Sequence, residues 1–501
     1  MNAPTLRVTT CKGNGTQAGS GYHRRMRWRS LLLLLLFAPV VLAEELPDLG
    51  EAAQADLPPQ VEKRIGAQAM QEIRRDPSYL DDAEIAGYIN RLGSRLTSKI
   101  EGGPQDFEFF VLKDPTINAF AMPGGYIGVH TGLIMAAQSE SELASVLAHE
   151  ISHVTQHHLA RSVARQSQTQ LAALLSMAVA ILAARNNPDV AMGAAVAGQA
   201  AGVQRQLSYS RDFEREADRL GLQLLQKAGF DVRAMGTFFE RLQKYGRLYD
   251  SGAPAYLLTH PLTTERIADM ENRIQQMPYK QVADSLDFQL VRAKLKAQEG
   301  TPADAITNFE TQVSERKTSS LPAARYGLAR AYLRANKLDG AEAQVAELRR
   351  QKAASPMIET LAAELRARRN DAAGAEKILR HALAQYPDDR AITYALVETL
   401  LDDRRAGEAL KLTTGDLETY SGDARLYNLQ ARAYALAGKQ LQQHRSLAEA
   451  YRLQGQLPEA VEQLQLAQRS PDGDFYERSE VDARLREMKA LLAESMKDKK
   501  P

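Results

Sequence analysis

From Val61 to about Met277 the apolar residues recur mostly at helical spacing, with one section that departs from it. Phe107–Leu112, Ala119–Met122 and Tyr126–His130 read as short strands, and Pro123-Gly124-Gly125 as the turn joining the last two. Helical spacing returns in Ser139–Ala148, where Leu143, Val146 and Leu147 share a face. Residues 167–205 are rich in Ala, Leu and Val, and Leu171–Ala184 is apolar almost throughout. That run is shorter than the roughly 20 residues of a membrane span, and Arg185-Asn186-Asn187-Pro188 interrupts it. It predicts a buried or lid-forming helical hairpin, with Gly193 and Gly198 permitting close packing. A lid, a substrate gate and a hairpin in peripheral contact with a membrane all remain open for it.

The last 210 residues follow a different rule. Ala341, Ala375 and Ala409 lie 34 residues apart, and Ala329, Ala363, Val397 and Ala431 form a second series with the same step, 12 residues earlier. Tyr332 and Tyr434 follow their small residues by three, and Pro387 closes one unit. Ala293 with Ala305, and Ala448 with Ala460, repeat the 12-residue spacing. Small residues at two fixed places let paired helices approach closely, and a generic bundle has no reason to keep a constant step. The period resembles that of tetratricopeptide repeats, with four to six units.

The chain has 501 residues, 44% hydrophobic and 25% charged, which suits two or more globular domains. A formal net charge of +1 gives no global field for nucleic acid. Arg27 and Arg29 precede an apolar run from Leu31 through Leu42, broken by Pro39, and Val41 and Ala43 place small residues before a cleavage point. Residues 26–43 thus read as a secretory signal cleaved after Ala43, with Met26 as an alternative start. The single cysteine, Cys11, lies upstream of that run, so the exported chain has neither disulfide nor thiol chemistry, which fits a bacterial periplasm.

The chemistry concentrates at His149-Glu150-Ile151-Ser152-His153. Histidines four apart on a helix lie about 40° apart around its axis, so both imidazoles face one point. Glu150 adjoins the first and can reach a water at the metal's open position, the arrangement of zinc peptidases. Downstream, Ser210-Arg211-Asp212-Phe213-Glu214-Arg215-Glu216-Ala217-Asp218 puts Glu214 and Asp218 on one helical face. One can ligate the metal and the other can orient a ligand histidine. Glu216 reads as a solvated charge. His157 lies four past His153 but lacks a carboxylate beside the first histidine, so that pair is set aside. His130, His381 and His444 read as structural.

Taken together, HEISH, the SRDFEREAD segment, Asn118-Ala119-Phe120-Ala121-Met122-Pro123-Gly124-Gly125 and Thr259-His260-Pro261 resemble the M48 family of zinc metallopeptidases, over nearly all of the exported chain. The resemblance implies one Zn²⁺ per chain held by His149, His153 and Glu214, with Glu150 as general base and Asp218 completing the ExxxD element. It also makes Ala119–Met122 an edge strand that pairs with extended substrate. His260 then lies near the metal, as a latch in the fourth position or an oxyanion stabiliser; a capping or core role is the alternative. The expected fold is mainly α: a helical metallopeptidase domain with a small sheet, followed by an α-solenoid. The expected organisation is a signal region at 1–43, a linker at 44–60, the metallopeptidase at 61–280 and repeats at 285–495. The resemblance further implies proteolysis in the quality control of outer-membrane β-barrel proteins, with stalled clients and the barrel-assembly machinery as partners. A chaperone or adaptor working through the repeats, its protease site latent or vestigial, is the rival reading.

Overall fold

The computed structural model describes residues 58–100, 106–163, 211–248 and 254–497. The expected signal region, most of the expected linker and the apolar segment 167–205 lie outside the described residues. Helix α1 (Pro59–Arg75) opens with proline in its first turn, where the missing N–H costs nothing, so the helix starts within the last residues of the expected linker. Asp82 caps α2 (Ala83–Thr97), its carboxylate accepting from the Glu84 and Ile85 N–H groups.

A three-stranded sheet follows, in the order β1 (Glu108–Leu112), β3 (Tyr126–His130), β2 (Ala119–Met122). β1 runs parallel to β3 and β2 antiparallel to it, so β2 is an edge, as expected. The turn between β2 and β3 needs left-handed backbone at Gly124 and Gly125, with φ of 77° and 85°. Short α3 (Thr131–Ala136) leads to α4 (Glu140–Thr155), capped by the Ser139 hydroxyl. α4 is buried on nearly every side, enclosed by the sheet, α2, α6 (Arg211–Lys227) and α7 (Arg233–Leu248). Gly221 permits the α4–α6 approach: a Cβ there would stand 3.1 Å from the His149 backbone nitrogen. Short α5 (His158–Val163), α8 (Ala255–Thr259) and α9 (Thr264–Gln275) close the domain around the end of α4.

The remaining helices alternate in antiparallel pairs: α10 (Leu286–Gln298) with α11 (Pro302–Ser314), α12 (Leu321–Arg334) with α13 (Leu338–Arg350), α14 (Pro356–Arg368) with α15 (Ala372–Gln385), and α16 (Arg390–Asp402) with α17 (Ala406–Thr419). α18 (Ala424–Leu436) pairs with α19 (Gln440–Leu453), and α20 (Leu457–Arg469) with α21 (Phe475–Lys497). Ala329, Ala363, Val397 and Ala431 fall on the first helices and Ala341, Ala375 and Ala409 on the second, all buried. Ala448 and Ala460 sit on α19 and α20, so that match bridges two pairs instead of marking one.

The row of first helices does not face solvent throughout. It receives α2. Lys294 of α10 (2.6 Å), Arg330 of α12 (3.1 Å), Tyr326 (3.4 Å) and Thr360 of α14 converge on the buried Glu84 carboxylate. Arg91 pairs with Asp287 and Asp389, each at 3.1 Å. Arg75 of α1 donates to the Gly455 carbonyl at 2.7 Å, between α19 and α20. Burial alone would push the Glu84 carboxyl up; the Arg330 and Lys294 charges overcome it and hold it at about 2.

Candidate metal centre

α4 delivers His149, Glu150 and His153 to the interior, each almost without solvent exposure. α6 brings Glu214 to them and the residue ending α8 is His260, so all four candidate donors meet. His149 Nε2 lies 3.0 Å from His153 Nε2 and 3.5 Å from Glu214 Oε2. Glu214 Oε1 lies 3.4 Å from His153 Nε2 and 3.0 Å from His260 Nδ1, which is itself 3.4 Å from His149 Nε2. A tetrahedral zinc with bonds of about 2.0–2.1 Å separates its ligands by about 3.3–3.4 Å. The donor set and spacing therefore fit a single zinc-sized cation.

The surroundings fit it too. Both Glu150 oxygens are buried without a well-formed hydrogen bond, and His260 Nε2 stands 3.5 Å from Oε1. Burial pushes the Glu150 carboxyl up, against the pull of His260 and His149. Burial favours neutral His149, but Asp218 and Glu214 outweigh it and raise its affinity for a proton to about 10. His153 is held well below its ordinary value, first by burial and then by His149 beside it. Two buried carboxylates, Glu214 and Asp218, thus face His149 from opposite nitrogens, and a bound cation would balance their charge.

Asp218 Oδ1 lies 3.0 Å from His149 Nδ1, on the side away from the other donors. Asp218, and not Glu214, therefore stands behind the His149 ring, a choice the sequence left open. Arg266 of α9, not singled out by sequence, grips Asp218 through Nε (2.7 Å) and Nη2 (2.8 Å) and reaches Glu214 at 2.8 Å. Its place six residues after His260 carries no pattern that would have announced it. Tyr256, also missed, stacks on His260 with ring centroids 4.6 Å apart.

One expectation holds and one changes. The chain leaves the helix after Thr155 and His157 takes φ of 50°, so His157 is not on the His153 face and the pair stays set aside. Glu216 is more than a solvated charge: although it lies on the side of α6 opposite the Glu214–Asp218 face, it meets His158 Nε2 at 3.1 Å and Arg161 at 3.0 Å. His130 is buried beside Asp114 and Thr116, away from the centre, as a structural residue would be.

A helical domain with an edge strand beside a buried His-Glu centre, followed by paired-helix repeats, has the make-up of a metallopeptidase joined to a repeat domain. Residues 84–274 match Peptidase family M48 and residues 296–365 match the tetratricopeptide repeat. A putative beta-barrel assembly-enhancing protease of Vibrio cholerae is 40% identical over 328 residues, 64% of this chain and 68% of that protein. Beta-barrel assembly-enhancing proteases of Yersinia pestis and Escherichia coli are each 32% identical and 92% covered, over 89% and 90% of this chain. A mitochondrial metalloendopeptidase OMA1 of Schizosaccharomyces pombe is 29% identical over 226 residues, 44% of this chain and 63% of that protein. The chain belongs to the M48 metallopeptidases of the beta-barrel assembly-enhancing type.

Proposed function

We propose that this chain is a periplasmic zinc endopeptidase, exported by the signal at 1–43, that acts in quality control and assembly of outer-membrane β-barrel proteins. The observation that carries the reading is the meeting of His149, His153 and Glu214 at tetrahedral spacing, with Glu150 alongside. Zinc held there would supply a Lewis acid that polarises the scissile carbonyl and acidifies water. Glu150 takes up the proton of the attacking water and returns it to the leaving amine. Its burial favours this role, since a carboxyl pushed upward holds and releases a proton nearer neutrality. Asp218, through His149 Nδ1, keeps that ring's Nε2 toward the metal.

β2 offers extended substrate its open edge. Phe120 and Met122 occupy the hydrogen-bonded pairs with β3, so the main-chain groups of Ala119 and Ala121 point away from β3, those of Ala121 toward Glu150, on the side where a substrate strand would pair. The Ile117 carbonyl on the same edge accepts from the Tyr256 N–H at 3.2 Å, so α8 covers the strand's start. With His260 in the fourth position, this arrangement is a resting form, and displacement of His260 opens the site. The rival adaptor reading draws on the same closure, but an adaptor has no use for Glu150. The repeats take clients or the barrel-assembly machinery, through surfaces that α2 leaves free.

Zinc analysis and casein proteolysis on the purified chain, its Glu150→Gln and its His260→Ala variants test this. Zinc at one per chain, activity lost in Glu150→Gln and raised in His260→Ala support the whole reading. Activity abolished in His260→Ala converts the latch into an oxyanion role, and activity unaffected by Glu150→Gln refutes the peptidase.

A further inference from the structure

The two histidine ligands are braced differently. His149 leans on a carboxylate directly. His153 leans on another histidine: His158 Nδ1 lies 2.9 Å from His153 Nδ1. His158 is fully buried, and its other nitrogen, Nε2, lies 3.1 Å from Glu216 Oε2. The Phe213 ring stacks on His158, centroids 4.5 Å apart with an interplanar angle of 10°, and the Arg161 guanidinium lies over the Phe213 ring at 4.5 Å while also binding Glu216. The left-handed turn at His157 is what swings His158 back against His153.

These contacts permit one proton arrangement when His153 binds through Nε2. His153 Nδ1 then carries a hydrogen and donates it, so His158 Nδ1 must accept. His158 accordingly carries its hydrogen on Nε2 and donates it to Glu216. We propose that His158 and Glu216 form a positioning relay for His153, running from a carboxylate near the surface through one neutral imidazole to the metal ligand. The inference rests on the zinc reading above. It makes α6 the organiser of both imidazoles: Asp218 sets His149 directly, while Phe213 and Glu216 set His153 through His158, with Glu214 as ligand between them.

A relay of this kind fixes ring orientation and ligand basicity, and loss of such partners typically costs about 10–100-fold in metal affinity. The test is zinc competition with a chelator on the full chain and on His158→Phe, His158→Asn and Glu216→Gln, with kcat and KM measured on the zinc-loaded proteins. His158→Phe keeps the stack on Phe213 and removes the acceptor; its zinc affinity should fall about 10–100-fold, with kcat falling and KM holding. His158→Asn returns an acceptor near the Nδ1 position and should recover most of the loss, which a packing role alone would not explain. Glu216→Gln should sit between them. His158→Phe with unchanged zinc affinity, or His158→Asn no better than His158→Phe, overturns the relay. A wild-type chain that binds no zinc sinks the peptidase reading itself. Should His158→Phe fail to fold, nitrogen-15 spectra of histidine-labelled wild-type zinc protein decide: the relay requires hydrogen on His158 Nε2, and hydrogen on Nδ1 overturns it.

Discussion

Glu84 ties the peptidase to its repeats, and replacing it by Gln measures how strongly. Its carboxyl is taken from an ordinary 4.5 to about 2 by Arg330 and Lys294 in spite of full burial. At roughly 1.4 kcal/mol per pH unit, that difference contributes about 3 kcal/mol at neutral pH. Removing one partner from a buried ion cluster costs about 3–5 kcal/mol. Here the stranded cations keep other partners, Lys294 with Asp82 and Arg330 with Glu364, each at 2.6 Å, so the lower end applies. Because the folded-state value is depressed, the contribution is complete above pH 4.5 and is lost as pH falls toward 2. Glu84→Gln should therefore lower stability by about 3 kcal/mol at pH 7 but by only about half as much at pH 3. Urea unfolding midpoints at the two pH values, read at constant slope, measure both quantities. A loss under 1 kcal/mol at pH 7, or an equal loss at both pH values, would refute the reasoning.

Asp218→Asn should weaken zinc binding about 10–100-fold in chelator competition, since His149 Nδ1 loses its anionic partner and Arg266 loses its bidentate grip. In Gly221→Ala the new methyl meets α4 backbone at 3.1–3.2 Å; α4 and α6 must part, and zinc affinity should drop while far-UV circular dichroism stays the same. Ala375→Leu overfills a fully buried site between repeat helices and should cost about 1–3 kcal/mol in urea unfolding, with little change in zinc affinity.

Much of this was legible in the chain. The three strands and their Pro-Gly-Gly turn were, because short apolar, β-branched and aromatic runs broken by glycines at positive φ leave local marks. So were His149, Glu150, His153 and the repeat pairs, which rest on helical periods of four and on a constant 34-residue step. His260 came from its Thr-His-Pro setting alone, since 107 residues separate it from His153 and only folding joins them. Arg266, His158 and Glu216 were not legible. The first acts through a crossing of α9 over α6, and the other two meet because one residue, His157, reverses the chain. Nor did any period announce that α2 would lie along the repeats, because Glu84 on its own reads as an ordinary first-turn acid.

The start of the catalytic helix carries one more consequence. Glu140 receives the Ser285 hydroxyl at 2.6 Å and the Tyr88 hydroxyl at 3.0 Å, and Ser285 also caps the first repeat helix. One carboxylate therefore clips α2, α4 and α10 together, nine residues upstream of His149 on a stiff, enclosed rod. The first repeat helix is thus joined through a single side chain to the helix that carries His149 and His153, with no loop between Glu140 and the imidazoles.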